Sequence, residues 1–265
     1  MSLIGLLLTK ISSMLNSGSG KTTSCFSLSD QLEGCFVLPF DGYHIPIEDL
    51  KKMPNSADLI YRRGAPDTFD PGRLTADIDR IRDSTDEIIK IPGFDHSNGD
   101  PEPDAHQFRR SLHKIVMCEG LYLLHDDPKW DSLKERFDMS IFVEANVDLC
   151  VERLKIRNLC IPGYTEEEIL TRVDAVDRIN AETVERSKQY ATITVQSAAE
   201  RSMTSTIADG TPASDIELSW EKDFAKKVRK ALAEGPVDQP YMVSVTGGPG
   251  SGKVSFTRII CRLII

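Results

Sequence analysis

The sequence predicts an α/β fold built as a doubly wound, mostly parallel sheet, and three features carry that prediction. Short apolar runs rich in β-branched and aromatic residues alternate with amphipathic stretches. Two glycine-rich segments share the string GSGK. Acidic residues stand in or beside two of the apolar runs, at Asp41 and Glu119.

The apolar runs are Gly34–Phe40 (GCFVLPF), Lys114–Leu124 (KIVMCEGLYLL), Asp138–Glu144 (DMSIFVE) and Ala191–Val195 (ATITV). Each is short and apolar on both faces, as strands covered by helices on both sides must be. Between them, Val147, Cys150, Val151 and Leu154 share one helical face, with Asn146 as N-cap. Thr165 and Glu168 have capping-box spacing ahead of Ile169, Val173 and Val176. The Ser-, Thr- and Ala-rich stretch 201–215 reads as a linker between a domain at 1–200 and a C-terminal segment at 216–265. In that segment Trp220, Phe224, Val228 and Leu232 recur every four residues, a helical pattern. The strand YMVSV and the second glycine loop follow.

Composition narrows the function. The 265 residues are 40% hydrophobic and 28% charged, which fits a globular protein. A net charge of −9 with no dense Lys/Arg run argues against nucleic acid as a partner. The apolar run near Met1 spans six residues, too few for a membrane helix, and no basic start precedes it. The six cysteines form no CxxC pair, and the five histidines have no metal-ligand spacing. Buried free thiols in a reducing cytoplasm are the expectation.

The glycine loops point to phosphate. In G-x-x-x-x-G-K-[ST], the glycines let backbone N–H groups converge on phosphate oxygens, the lysine reaches the terminal phosphates, and the hydroxyl holds Mg²⁺. The first copy has Ser17, Gly18, Ser19, Gly20, Lys21, Thr22 and Thr23, but Leu15 replaces the leading glycine. The second has Gly247, Gly250, Gly252 and Lys253, but Val254 replaces the hydroxyl. Aligned on their lysines, ISSMLNSGSGK and VSVTGGPGSGK read as an internal repeat. The first loop keeps both lysine and threonine and leads into the remaining motifs, so it is the expected active loop. The second is then the stub of a duplicated domain or a permuted replacement for the first strand.

Asp41 closes its apolar run in FDGYH, at the strand edge where open α/β sheets bind ligands, and is suited to accept a hydroxyl proton. Glu119, a carboxylate in an apolar strand, is explained by a place near a metal ion, directly or through water, or else by structural hydrogen bonds, with the metal-proximal place the favoured reading. Tyr61–Asp70 and Pro92–Pro101 read as polar loops that bring Arg62, Arg63, Asp95 and His96 toward an acceptor. Arg153 and Arg157 lie four apart on one helix face, with Arg172, Asp177 and Asn180 on the next helix, which suggests an arginine-bearing lid.

The order of these strings (GSGKTT, DGYH, RRGAPDTFD, PGFDHSNGDP, EGLYLL, RVDAVDRIN) resembles the phosphoribulokinase/uridine kinase family over about Ser17–Ser197, and within it the pantothenate kinase-like branch. The resemblance implies a three-layer P-loop NTPase fold, a sheet of about five strands and a helical lid. It implies ATP and Mg²⁺ as cofactors and transfer of the γ-phosphate to a hydroxyl of a small metabolite. By motif position Asp41 is the base and Lys21 holds phosphate, while Thr22 and Glu119 belong to the metal. Tyr43, His44, Arg62, Arg63, Asp95 and His96 face the acceptor, and Arg157 and Arg172 belong to the nucleotide lid. A cytoplasmic enzyme is implied, with no nucleic-acid or membrane partner and a homodimer left open. The alternatives are a nucleotide-binding protein without turnover and an NTP hydrolase.

Overall fold

The computed structural model describes residues 34–161, 163–197, 226, 230, 233–234, 239–253 and 256–257. The first glycine loop, the linker and most of the 220–232 helix lie outside the described residues.

Five strands form one sheet: β1 (Cys35–Pro39), β4 (Ile115–Gly120), β5 (Met139–Glu144), β6 (Ile193–Gln196) and β7 (Tyr241–Thr246). Their spatial order is β1-β4-β7-β5-β6, and every pairing is parallel. β7, the last of the described strands in chain order, is therefore the middle strand. Met117 and Cys118 of β4 pair with Val243 and Ser244, and Ser140 and Ile141 of β5 pair with Ser244 and Val245.

Side chains alternate across the sheet, so each strand serves two cores. On one face Leu38, Val116, Cys118, Phe142 and Met242 pack with Leu74, Ile78 and Ile81 of α3 (Pro71–Asp83). On the other, Met117, Ile141, Val143, Val243, Val245 and Phe256 form the second cluster. Burial on both faces is why these strands read as unbroken apolar runs.

One expected loop is a hairpin. Pro92–Pro101 caps an antiparallel pair, β2 (Ile88–Asp95) and β3 (Asp100–Arg109). Ile89, Ile91 and Phe108 are fully buried and anchor it to the first core, while Pro92 and Gly93 shift the register and hide the alternation from a sequence reading. The hairpin sits directly on the segment after β1. A Cβ at Gly42 would stand 2.6 Å from the Pro92 carbonyl oxygen, so only glycine permits this approach. Tyr61–Asp70 is also partly ordered, between α2 (Ser56–Tyr61) and a 3₁₀ turn at Pro66–Thr68.

The helical side follows the capping signals. Asn146 accepts from the Leu149 N–H at 3.1 Å and starts α5 (Val147–Asn158). Thr165 and Glu168 complete a capping box on α6 (Glu166–Arg172). A π-helical turn at Val173–Asp177 joins α6 to α7 (Arg178–Arg186).

Met242 is fully buried in the main core, so Met242→Ala should cost about 2–5 kcal/mol in a urea titration followed by circular dichroism. A C-terminal appendage outside the cooperative unit would leave the main transition unmoved.

Candidate active site

Three strand ends meet at the carboxyl edge of the sheet. The register pairs Pro39 with Glu119 and Glu119 with Val245, so Asp41, Glu119 and the loop after Thr246 share one edge. The second glycine loop therefore lies beside the acidic residues. Gly250 and Gly252 have φ of +81° and +86°, the left-handed region that favours glycine and turns the chain tightly around the loop. The Lys253 Nζ lies 3.7 Å from Glu119 Oε1 and donates to the Gly248 carbonyl at 3.5 Å. Burial raises the Glu119 pKa; Lys253 opposes the shift and the Asp41 charge adds to it.

A helix brings an arginine to the same edge. Arg153 of α5 donates to the Gly250 carbonyl at 3.4 Å, and its Nη2 is buried without a hydrogen-bond partner. Arg157 donates to Asn158 Oδ1 at 3.2 Å. Arg172 donates to the Arg63 carbonyl at 3.0 Å and stands 3.7 Å from Asp177 Oδ2. Burial raises the Asp177 pKa against the opposing charges of Arg172 and Arg157.

The residues expected at the acceptor divide. His44 stays near Asp41, its Nδ1 donating to the Asp41 carbonyl at 2.9 Å, which fixes the proton on that nitrogen. Its ring packs on Phe69 and Phe94, and burial lowers its pKa. Arg63 is a strut: it donates to Gly99 O at 2.6 Å, Ile45 O at 3.1 Å and Asp100 Oδ1 at 2.7 Å, tying the hairpin turn to the segment after His44. Arg62 is bidentate to Asp67 and also pairs with Asp58. Asp95 accepts from Ser97 and Asn98 within the turn, and His96 is exposed beside Phe94.

Tyr43 does not face an acceptor. Its side chain is fully buried, and its hydroxyl donates to Asp77 Oδ2 at 3.0 Å, because the 3₁₀ turn at Phe40–Tyr43 points it into the core. Sequence reasoning missed Asp77 and Asp100, the partners that fix Tyr43 and Arg63. Asp100 lies within the GDP string, but its pairing across the chain has no local signal.

A sequence model described as the phosphoribulokinase/uridine kinase family matches residues 11–204. The chain belongs to this family. A Schizosaccharomyces pombe protein named "Putative uridine kinase C227.14" is 30% identical over 187 residues, 68% of this chain and 79% of its own. Among solved structures, a "putative fructose transport system kinase" from Silicibacter sp. TM1040 has a TM-score of 0.56 at 28% identity, covering 67% of this chain and 84% of that one. YFH7 from Saccharomyces cerevisiae, titled "a putative P-loop containing kinase with a circular permutation", has a TM-score of 0.53 at 21% identity, covering 63% and 59%. The all-parallel sheet and its flanking helices are those of the P-loop kinase fold of this family.

The raised Glu119 pKa has a consequence for stability. The folded state binds this proton more tightly than the unfolded chain, so stability falls as pH rises through the folded pKa. Glu119→Gln should raise Tm at neutral pH, with the gain vanishing below about pH 4, where the unfolded carboxyl is also protonated. A lower Tm for the variant at neutral pH would show that the Lys253 pair outweighs the burial cost.

Proposed function

We propose that this chain is an ATP-dependent kinase of a small hydroxylated metabolite, with the triphosphate held by the second glycine loop. The supporting observation is the 3.7 Å approach of Lys253 to Glu119 at the sheet edge that also carries Asp41. Open α/β sheets bind ligands at this edge.

The loop residues suit a triphosphate. The glycine turn at Gly250–Gly252 leaves the backbone open to close approach, and Lys253 supplies a positive charge from below. The residues present do not reproduce the motif's magnesium site. The position after Lys253 is Val254, which has no oxygen ligand, and Thr257 Oγ1 is engaged with the Lys253 carbonyl at 2.9 Å.

In the proposed reaction the acceptor oxygen bonds to the γ-phosphorus as the bond to the β,γ-bridging oxygen breaks. Asp41, exposed at the end of β1, takes the hydroxyl proton. Lys253 and Arg153 balance charge on the phosphates. The hairpin, held by Arg63 and by the Gly42–Pro92 contact, supplies the acceptor wall, with His44 fixed against it.

A phosphoryl-gain screen by mass spectrometry over hydroxylated metabolites tests this reading. Once an acceptor is found, Lys253→Ala and Asp41→Asn should each lower kcat by at least about 10²-fold, the scale of a lost charge or base. Lys21→Ala should leave activity within a factor of a few. The reverse ranking of the two lysines would move the active site to the first loop.

A further inference from the structure

We propose that the acceptor is an uncharged hydroxylated molecule, with no carboxylate or phosphate of its own, because the protein already neutralises the arginines on the wall that faces it. This rests on the kinase reading and on Asp41 as the base, and it narrows the acceptor's class.

The wall is built around Asp41. His44 reaches the Asp41 carbonyl through Nδ1 at 2.9 Å, and its ring centre lies 3.9 Å from that of Phe69 and 4.9 Å from that of Phe94. The Arg63 guanidinium carbon lies 5.9 Å from the Phe94 ring centre. An anionic acceptor would need a cation here with a hydrogen bond to give, since a charge taken out of water is costly unless it is paired.

Among the described residues the wall has no arginine or lysine of that kind. Arg63 gives Nη1 to the Gly99 carbonyl and Nη2 to the Ile45 carbonyl and to Asp100, whose carboxylate cancels its charge at 2.7 Å. The side chain is 12% exposed, and its Nε, which has no partner, is buried away from an incoming ligand. Arg62 gives Nη1 and Nη2 to Asp67 and Nε to Asp58, two carboxylates against one charge. His44 holds its proton on Nδ1, and burial disfavours a second one, so its Nε2 carries a lone pair and no charge. His96 shares its turn with the Asp95 carboxylate, which feels its charge.

The charge left over is negative, and Asp41 stands exposed where the acceptor must approach. A second anion brought there meets like-charge repulsion. An uncharged polyol or sugar meets none. It finds a carboxylate to take the hydroxyl proton, an imidazole lone pair, and the half-buried ring of Phe94 for its C–H faces.

A mass-spectrometric screen for phosphoryl gain, on the full chain with ATP, tests this with a broad panel of acceptors arranged in pairs. Free sugars and polyols form one arm, and their acids and phosphates the other: ribose with ribose 5-phosphate, ribitol with ribonate, glycerol with glycerate. The uncharged member should be used with a kcat/KM at least about tenfold above that of its anionic partner. A smaller ratio, or product in the anionic arm alone, would overturn the proposal. No product in either arm, from a chain that binds ATP in calorimetry, would sink the kinase reading on which it stands. Asp100→Asn keeps an oxygen for Arg63 and for the Ile47 N–H, held at 3.0 Å, while removing the charge. It should move the kcat/KM ratio at least about tenfold toward the anionic member, through a lower KM for that member. A purely structural role for Asp100 would depress both members together. A folded Asp100→Asn protein with an unmoved ratio would overturn the proposal as well.

Discussion

β7 is paired along both edges, to β4 on one side and β5 on the other, and the rest of the molecule depends on that double pairing. β1 and β4 form one half of the sheet and β5 and β6 the other, and among the described strands only β7 joins them. Its side chains also divide between the two cores, Met242 to one and Val243 and Val245 to the other. Removing it would leave two unpaired strand edges and two open apolar faces, which no short parallel pair survives in water. The same strand delivers the glycine loop to the carboxyl edge.

At that edge the stability of the fold and the chemistry of the site pull against each other. Burial disfavours the charged form of Glu119, the Asp41 charge adds repulsion, and the Lys253 ammonium opposes both. Arg153 keeps an unpartnered guanidinium nitrogen, and half-buried Asp177 has one buried oxygen lacking a hydrogen bond. A sequence selected for stability would remove each of these. Two of the three lie against the glycine loop, and in the proposed kinase a phosphate oxygen would supply the partner that Arg153 lacks.

Much of the fold was legible because its signals are local. The four apolar runs and YMVSV all became strands of the sheet, and both predicted caps formed, since a cap needs only residues three apart. The hairpin was not legible, because Pro92 and Gly93 interrupt the alternation on β2 and much of β3 is exposed. Tyr43 was misread because a hydroxyl in a polar string suggests a ligand contact, and its partner Asp77 lies far away in sequence. The expectation that the first loop is the active one followed chain order, its intact Lys21–Thr22 pair and its lead into the later motifs. Spatial order in a parallel sheet is set by crossover connections, and no local pattern records which strand takes the middle slot.

The acceptor side is stiffer than a pair of polar loops would be. Arg63 holds three acceptors on two segments, Gly42 lets the hairpin press against the turn after β1, and His44 is pinned between its hydrogen bond and two aromatic rings. Arg172 then links this wall to the helices that carry Arg153 and Arg157, through its bond to the Arg63 carbonyl. A shift of α6 toward the glycine loop would pull on the backbone of Arg63, and through its guanidinium on the hairpin turn. In the proposed kinase the nucleotide side and the acceptor side are therefore joined by a short chain of hydrogen bonds. In that reading the chain would favour phosphoryl transfer over loss to water by settling the acceptor wall and the nucleotide lid together.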